Sequence, residues 1–320
     1  MSQTLTARED PALVLRIERR SALHYADGPS DAEDRPAFVR AASGLAWFGD
    51  SIAIVQDDAS FIGMRAKDGT VTAIALPRGE GGRRRFEDRL GNRLSKLDLE
   101  SCVTVRTPEG ERLVAFGSGS LPVRETIAVV RMDAKAAPVV VDAGALYTKI
   151  RAALGLGTVL ANLEGAAIVH GALRLFHRGV PAGSVDVDLL ELVAWLDRNG
   201  APPVPEPRGF RGYELGAERG VPFGFTEAAT LADGRIVFLA AAEDTDDPVL
   251  DGAVLGSRFG VIEDGGLRFG PILDERGDRF AEKAEGLAPD PSDPRRFLIV
   301  ADADDPDRPA ELLEAIVEGL

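Results

Sequence analysis

The sequence predicts an all-β chain: a β-propeller of about five four-stranded blades, with room for a sixth, closed by pairing of N- and C-terminal strands. Three observations predict it. A hairpin pattern recurs five times, the recurrences are evenly spaced, and an apolar segment at each end has no local partner. The copies open at Ser43-Gly44-Leu45, Leu99-Glu100-Ser101, Leu163-Glu164-Gly165, Thr226-Glu227-Ala228 and Ala284-Glu285-Gly286. Aligned at 43, 100, 164, 227 and 285, they are 57, 64, 63 and 58 residues apart. Self-similarity at such a period marks a repeat architecture, and a period above the roughly 40–45 residues of compact blades implies insertions. A two-sheet sandwich array is the alternative, but it would not require so even a period.

In chain order, Ala12–Glu18 alternates as a strand and is expected beside Glu311–Leu320, completing the last blade and removing an open edge. Copy one is followed by a second hairpin, Phe61–Ala66 and Val71–Leu76, turning at Asp68-Gly69. Copy two runs Glu100–Arg106, turns at Pro108-Glu109-Gly110 and returns through Leu113–Phe116. Leu146, Ile150 and Leu154 form one helical face over Ala145–Leu154. Leu189–Leu196 reads as a second helix, stopped at Asn199-Gly200. Between Ser184 and Tyr213 there is length for a sixth blade, and Ala201–Arg208 is a Pro-rich loop within the repeat. Copy four turns at Asp233-Gly234 and is followed by the runs Arg258–Ile262 and Leu267–Ile272. Copy five turns between Pro289 and Pro294 and returns through Phe297–Ala301. Two hairpins per repeat make a four-stranded blade, so residues 1–320 read as one domain.

Composition sets the exclusions. Among 320 residues, 37 Lys and Arg face 52 Asp and Glu, a formal charge of −15. That balance excludes a nucleic-acid partner, which demands a basic footprint. The single Cys102 excludes a disulfide framework and a Cys-based zinc site. Met1–Arg20 has no apolar core of a signal peptide, and no run approaches a membrane span. A cytoplasmic, bacterial, monomeric protein without a membrane partner is expected, binding a small anionic molecule or another protein.

The repeat also locates a site. The start of strand one and the end of strand two of a blade lie on one face of the disc. Ser43, Glu100, Glu164, Glu227 and Glu285 open the first strands. Asp57-Asp58, Ser118-Gly119-Ser120, His177-Arg178, Glu243-Asp244, and Asp302 with Asp304 close the second. Both sets gather at one mouth of the central channel. Four carboxylates near one axis cannot all stay ionised in a partly dry channel without protonation, local cations or a metal. Lys96, Lys283, Arg40 and Arg178 are the candidate cations. Ca²⁺ or Mg²⁺ on Glu100, Glu164, Glu227 and Glu285 would suit an all-oxygen ring. The structural alternative is that these acids bond backbone N–H groups of the neighbouring blade. His177 and Asp58 are candidate general bases. Ser118, Ser120 and Arg124 read as a small anion cradle, with Lys96 and Arg178 as further substrate-binding cations. Arg78 to Arg85 is the one basic run, a solvated loop or a lid over an anion.

Lys96-Leu97-Asp98-Leu99-Glu100, Phe116-Gly117-Ser118-Gly119-Ser120, Leu163-Glu164-Gly165 and Glu285-Gly286-Leu287 resemble motifs of phytase-like ("esterase-like activity of phytase") propellers and related bacterial propeller proteins. The similarity extends from about residue 40 to 304 through short motifs. It implies calcium-assisted hydrolysis of an ester or phosphoester. Glu100, Glu164, Glu227 and Glu285 match the acidic blade positions of that family, and Ser43 departs from them. The expected function is a metal-assisted hydrolase of a small anionic ester, phosphoester or lactone. The competing expectation is a non-catalytic propeller that binds a metabolite or partner protein.

Overall fold

The computed structural model describes residues 3–132, 136–245, 252–263, 266–302 and 305–320. The chain opens with β1 (Gln3–Thr6), β2 (Arg8–Glu9) and β3 (Val14–Ala22). A first antiparallel sheet follows from β4 (Ala42–Phe48), β5 (Ser51–Gln56), β6 (Phe61–Arg65) and β7 (Val71–Ala75). The second comprises β8 (Leu99–Thr107), β9 (Gly110–Gly117), β10 (Thr126–Arg131) and β11 (Val139–Asp142). Helix α1 (Gly144–Leu154) leads to the third, β12 (Leu163–Val169), β13 (Ala172–His177), β14 (Ala182–Asp188) and β15 (Arg208–Glu214). Helix α2 (Leu189–Asp197) connects β14 to β15, so the Ser184–Tyr213 segment belongs to this third sheet. After β16 (Ala217–Glu218) comes the fourth, β17 (Val221–Thr230), β18 (Ile236–Asp244), β19 (Ala253–Glu263) and β20 (Gly266–Leu273). The last set is β21 (Lys283–Pro289), β22 (Arg296–Asp302) and β23 (Glu311–Glu318). Beside β23, antiparallel, runs β3 from the other end of the chain, with Glu318 opposite Val14 and Glu311 opposite Ala22.

The predicted all-β character holds, and both helices form where the periodicity places them. α1 buries Leu146, Tyr147, Ile150 and Leu154 and ends at Gly155 in the left-handed conformation. α2 is capped by Asp188, whose side chain accepts from the Glu191 N–H at 2.9 Å. Two short strands carry no signal in the sequence: β1 lies parallel on β15, and β2 parallel on β20. Both are short and pair through the backbone, and β1 adds only Leu5 to the core and the Thr6 Oγ1 bond to Glu214, too little for a side-chain pattern.

The strands are apolar on both faces because each sheet is sandwiched between two others. Along β9, Leu113 and Ala115 pack with the first sheet, whereas Val114 and Phe116 pack with the third. Alternation therefore separates two cores instead of core from solvent. Further clusters join the third sheet to the fourth, the fourth to the fifth, and the fifth to the first. The first strands follow the same cycle: β4 packs on β8, β8 on β12, β12 on β17, β17 on β21, and β21 on β4.

Each of these inner strands opens on a β-bulge. The register slips at Ser43, Glu100, Glu164, Thr226 and the pair Glu285-Gly286. A bulge re-aims a side chain, and here it does so near the start of β4, β8, β12 and β21 and in the middle of β17. The fourth copy thus corrects the sequence alignment by one residue: Thr226, not Glu227, holds the bulge. Ser43 and Thr226 donate to the Leu99 and Ala284 carbonyls of the next inner strand. The following position is small in four copies (Gly44, Ser101, Gly165 and Gly286), where inner strands nearly touch, and is Glu227 in copy four. A Cβ on Gly44 would lie 3.0 Å from the Ser101 Cα, and one on Gly286 would lie 2.8 Å from the Gly44 backbone. Replacing Gly286 by Ala is expected to cost about 1–3 kcal/mol or more, as overpacking against backbone does. Chemical denaturation reads it, and an unchanged midpoint would show that the inner strands part freely.

Candidate functional site

The bulges turn Glu100, Glu164 and Glu285 toward the ends of the second strands, where two charge networks form. In the first, Lys96 Nζ lies 2.6 Å from Asp57 Oδ2 and 2.7 Å from Asp98 Oδ1. Asp98, at φ +56°, turns its carboxylate inward. It accepts from Ser118 Oγ, from Ser120 Oγ at 3.2 Å and from Arg124 Nη1 at 3.0 Å. The cradle of Ser118, Ser120 and Arg124 is therefore filled by the chain's own carboxylate. Burial would raise Asp98, but the cations Lys96 and Arg124 hold it below its ordinary value. Burial opposes the charge of Lys96, yet Asp57, Asp98 and Glu100 together raise it, so the ammonium is retained. Glu100 has no hydrogen-bond or ion-pair partner among the described residues. Burial pushes it well above its ordinary value, followed by repulsion from Asp98, Asp57, Glu164 and Glu285.

The second network spans the third, fourth and fifth sheets. Arg178 Nη1 donates to Glu164 Oε1 at 3.0 Å and Oε2 at 2.8 Å, and its Nη2 lies 2.8 Å from Glu243 Oε1. Lys283 Nζ lies 3.1 Å from Glu243 and 2.7 Å from Glu285. Burial raises Glu164 despite the pull of Arg178 and Lys283. Glu243 is held low by Lys283 and Arg178 against the effect of burial.

Two predicted site residues stand apart from both networks. Glu227 is 1% exposed, and its Oε1 accepts from the Ala228 N–H at 2.9 Å and the Ala166 N–H at 3.3 Å. It fills the narrow ring made by Gly44, Ser101, Gly165 and Gly286. Burial raises its pKa well above its ordinary value, against the pull of the backbone N–H groups it accepts from. His177 is buried, and its Nδ1 accepts from the Asn162 N–H at 3.0 Å. Burial pushes its pKa down to about 4. Along the strand it faces opposite to Arg178, which enters the network in its place.

Asp58 lies at the outer end of the first network. Arg40 Nη2 reaches its Oδ2 at 2.5 Å, and Arg40 Nη1 lies 3.2 Å from Glu87 Oε2. Among the described residues, Asp58 Oδ1 is buried without a hydrogen-bond partner. Burial, and then the neighbouring Asp57, push Asp58 up to about 7. It lines a cleft of about 340 Å³ together with Arg40, Asp57, Glu87, Arg89 and Lys96. The basic run does not line this cleft and is anchored to the segment before β4: the Arg84 and Arg85 N–H groups donate to Asp34 Oδ2, and Arg84 Nη1 pairs with Glu33 at 2.7 Å. Of the strand-ending acids, Asp304 lies outside the described residues.

Asp57, Asp98 and Glu100 each place a carboxylate oxygen within 4.8 Å of the others. This all-oxygen group can hold one hard cation. Lys96 lies among these carboxylates in the structure, and a metal would have to displace it. Of the four predicted metal ligands, Glu100 alone belongs to this group; Glu164 and Glu285 pair with Arg178 and Lys283. Asp57, Asp98 and Glu243 were not singled out in the sequence as ligands or partners. Their signal lay in the strand-ending register and in the Lys96-to-Glu100 motif.

Comparison with solved structures supports the propeller architecture. A β-1,3-galactosidase of glycoside hydrolase family GH43 is 8% identical, at a TM-score of 0.52, over 94% of this chain and 61% of that one. An α-L-arabinofuranosidase from Podospora anserina is 11% identical, at 0.51, over 96% and 97%. A gluconolactonase from Xanthomonas campestris is 11% identical, at 0.40, over 88% of each chain. At such identities the likeness is one of fold alone. No curated protein matches the sequence. The resemblance to phytase-like propellers holds at the level of the β-propeller and not of that particular family. A family model does match residues 38–317, and the chain belongs to that family, the family of unknown function DUF6929.

Proposed function

We propose that the chain is a five-bladed propeller closed by β3, and that the cleft at its channel mouth hydrolyses a small ester or lactone. The cyclic packing of the five inner strands supports the closure. The observation that carries the activity is the orphaned Oδ1 of Asp58, buried in the cleft while Arg40 fixes the other oxygen. One oxygen held and one free is the arrangement of a general base. Water adds to the carbonyl carbon, its proton passes to Asp58 Oδ1, and collapse of the adduct expels the alcohol, which takes that proton back. Asp98, held by Ser118, Ser120 and Arg124, keeps Lys96 in position beside the cleft. Asp57, Asp98 and Glu100 would hold Ca²⁺ or Mg²⁺ if Lys96 swung aside, and the ion would polarise the carbonyl and acidify water.

Asp58→Asn tests this. In a panel of small esters and lactones, kcat is expected to fall about 10²–10⁴-fold, the usual worth of a positioned base. The unmodified enzyme should gain activity as pH rises through about 7, because the base must be deprotonated. A second reading, a non-catalytic ligand-binding propeller, is favoured by the engagement of Ser118, Ser120, Arg124 and Glu227 in internal bonds. Binding without turnover across the panel would establish it and sink the hydrolase.

A further inference from the structure

The end of the sheets at which the inner strands start is divided into two unlike halves. Three backbone hydrogen bonds link its connections in series. The Ser118 N–H donates to the Asp98 carbonyl, the Leu163 N–H to that of Ser118, and the Arg178 N–H to that of Asn162. The segments entering β8 and β12 therefore lie side by side with the turns that leave β9 and β13. On them sit Leu90, Leu94, Val123, Val159 and Val180, five of the eight large apolar side chains exposed among the described residues. The other three, Met132, Val139 and Leu190, lie at the opposite end of the sheets. Charge is missing from the apolar half: residues 121–123, 155–162 and 179–182 contain no ionisable side chain, in a chain of which 28% is charged. Val159 is 62% exposed and Val180 78%. A contiguous apolar surface carried on loop tips marks an interaction site.

The other half is acidic. Residues 274–282 and 305–310, which lead into β21 and β23, carry six acids against three arginines. The charge of −15 on the whole chain repels a second copy and an anionic bilayer alike. A face that is apolar on one side and acidic on the other complements an apolar surface flanked by Lys or Arg. We infer that this end of the molecule docks a basic protein partner, whose apolar side chains cover Leu94, Val123, Val159 and Val180 while its cations face the acidic connections. The inference makes no use of Asp58, and it holds whether the cleft turns over an ester or only binds a ligand.

An amphipathic helical peptide of about 18 residues, Leu on one face and Lys on the other, serves as the probe. Its Kd from isothermal titration is compared with those of two controls, one with Ser in place of Leu and one with Glu in place of Lys. The Leu–Lys peptide is expected to bind about tenfold or more tightly than either, because apolar contact and charge act together. Val159→Asp combined with Val180→Asp should weaken it about tenfold or more, and Leu190→Asp by less than about twofold. All three positions are exposed, so the fold tolerates the changes, and the three-peptide comparison on the unmodified protein stands without them. Equal binding of the Ser–Lys peptide would reduce the surface to its charge and overturn the inference. Equal losses in the Val159/Val180 and Leu190 variants would do the same. Concentration-dependent dimerisation in sedimentation, abolished by Val180→Asp, would assign the surface to a second copy. Binding to phosphatidylcholine vesicles, abolished by that change, would assign it to lipid; either result overturns the protein partner.

Discussion

Replacing Lys96 by Met is expected to destabilise the fold by about 3–5 kcal/mol at neutral pH, the usual cost of removing one partner from a buried charge cluster. Lys96 is 6% exposed and its ammonium lies within 2.7 Å of two carboxylates. Methionine keeps most of the stem's volume, so the loss is electrostatic and not a cavity. The pH dependence identifies the cause. The raised pKa of Lys96 gives stability that is fully present below the ordinary lysine value and lost only as pH rises through the folded one. The lowered pKa of Asp98 gives stability present above the ordinary aspartate value and lost as pH falls through the folded one. Lys96 and Asp98 therefore add no pH dependence around neutrality; Asp58 and Glu100, both raised, make stability fall somewhat as pH rises there. Without Lys96, the crowded carboxylates bind protons more tightly than in the unfolded chain, and stability falls as pH rises from about 5 to 8. Urea unfolding at several pH values measures this. The same variant leaves Asp57, Asp98 and Glu100 without a resident cation, so Ca²⁺ should restore much of the loss. The unmodified protein, with Lys96 in place, should gain far less. A variant as stable as its parent, and indifferent to both pH and Ca²⁺, would mean that these acids are not ionised together.

The repeat was legible because hairpins, turns and spacing are written locally. Val169 pairs with Ala172 across His170 and Gly171, both at positive φ, a two-residue hairpin turn. The fault in copy four has a physical source. Thr226 and Glu227 are adjacent, and a bulge decides which of two neighbours faces the mouth; nothing local reports where a register will slip. The same one-residue ambiguity put His177 forward together with Arg178, whereas only Arg178 joins the charge networks. The cradle of Ser118, Ser120 and Arg124 was recognised by chemistry that proved to be there, since it holds an anion. That anion is Asp98, twenty residues upstream of Ser118. Composition cannot separate an internal carboxylate from an external one, because both present the same oxygens. Pairings such as Arg178 with Glu243 depend on which sheets become neighbours, information held in packing between segments far apart in sequence.

Arg178 offers the complementary test in the second network, where it ties the third sheet to the fourth. Its guanidinium grips both oxygens of Glu164 and one of Glu243. Its stem crosses Gly224 so closely that a Cβ there would lie 2.5 Å from the Arg178 Cγ. Arg178→Met is expected to cost about 3–5 kcal/mol, again by stranding buried carboxylates. Arg178→Lys should recover less than half of that, since a single ammonium cannot reproduce the fork that spans Glu164 and Glu243. Glu164 already has a raised pKa from burial, so the Met variant should regain stability as pH is lowered and Glu164 takes up a proton. A loss below about 1 kcal/mol would instead place this pair among ion pairs of little net worth. The double variant then asks whether the mouth is one electrostatic unit. Glu100 is repelled by Asp57 and Asp98 on one side and by Glu164 and Glu285 on the other. Removing Lys96 and Arg178 together should therefore depart from the sum of the single effects by more than about 0.5 kcal/mol, the margin within which independent sites add. Coupling of that size would locate the link at Glu100, the acid that faces both networks and pairs with neither.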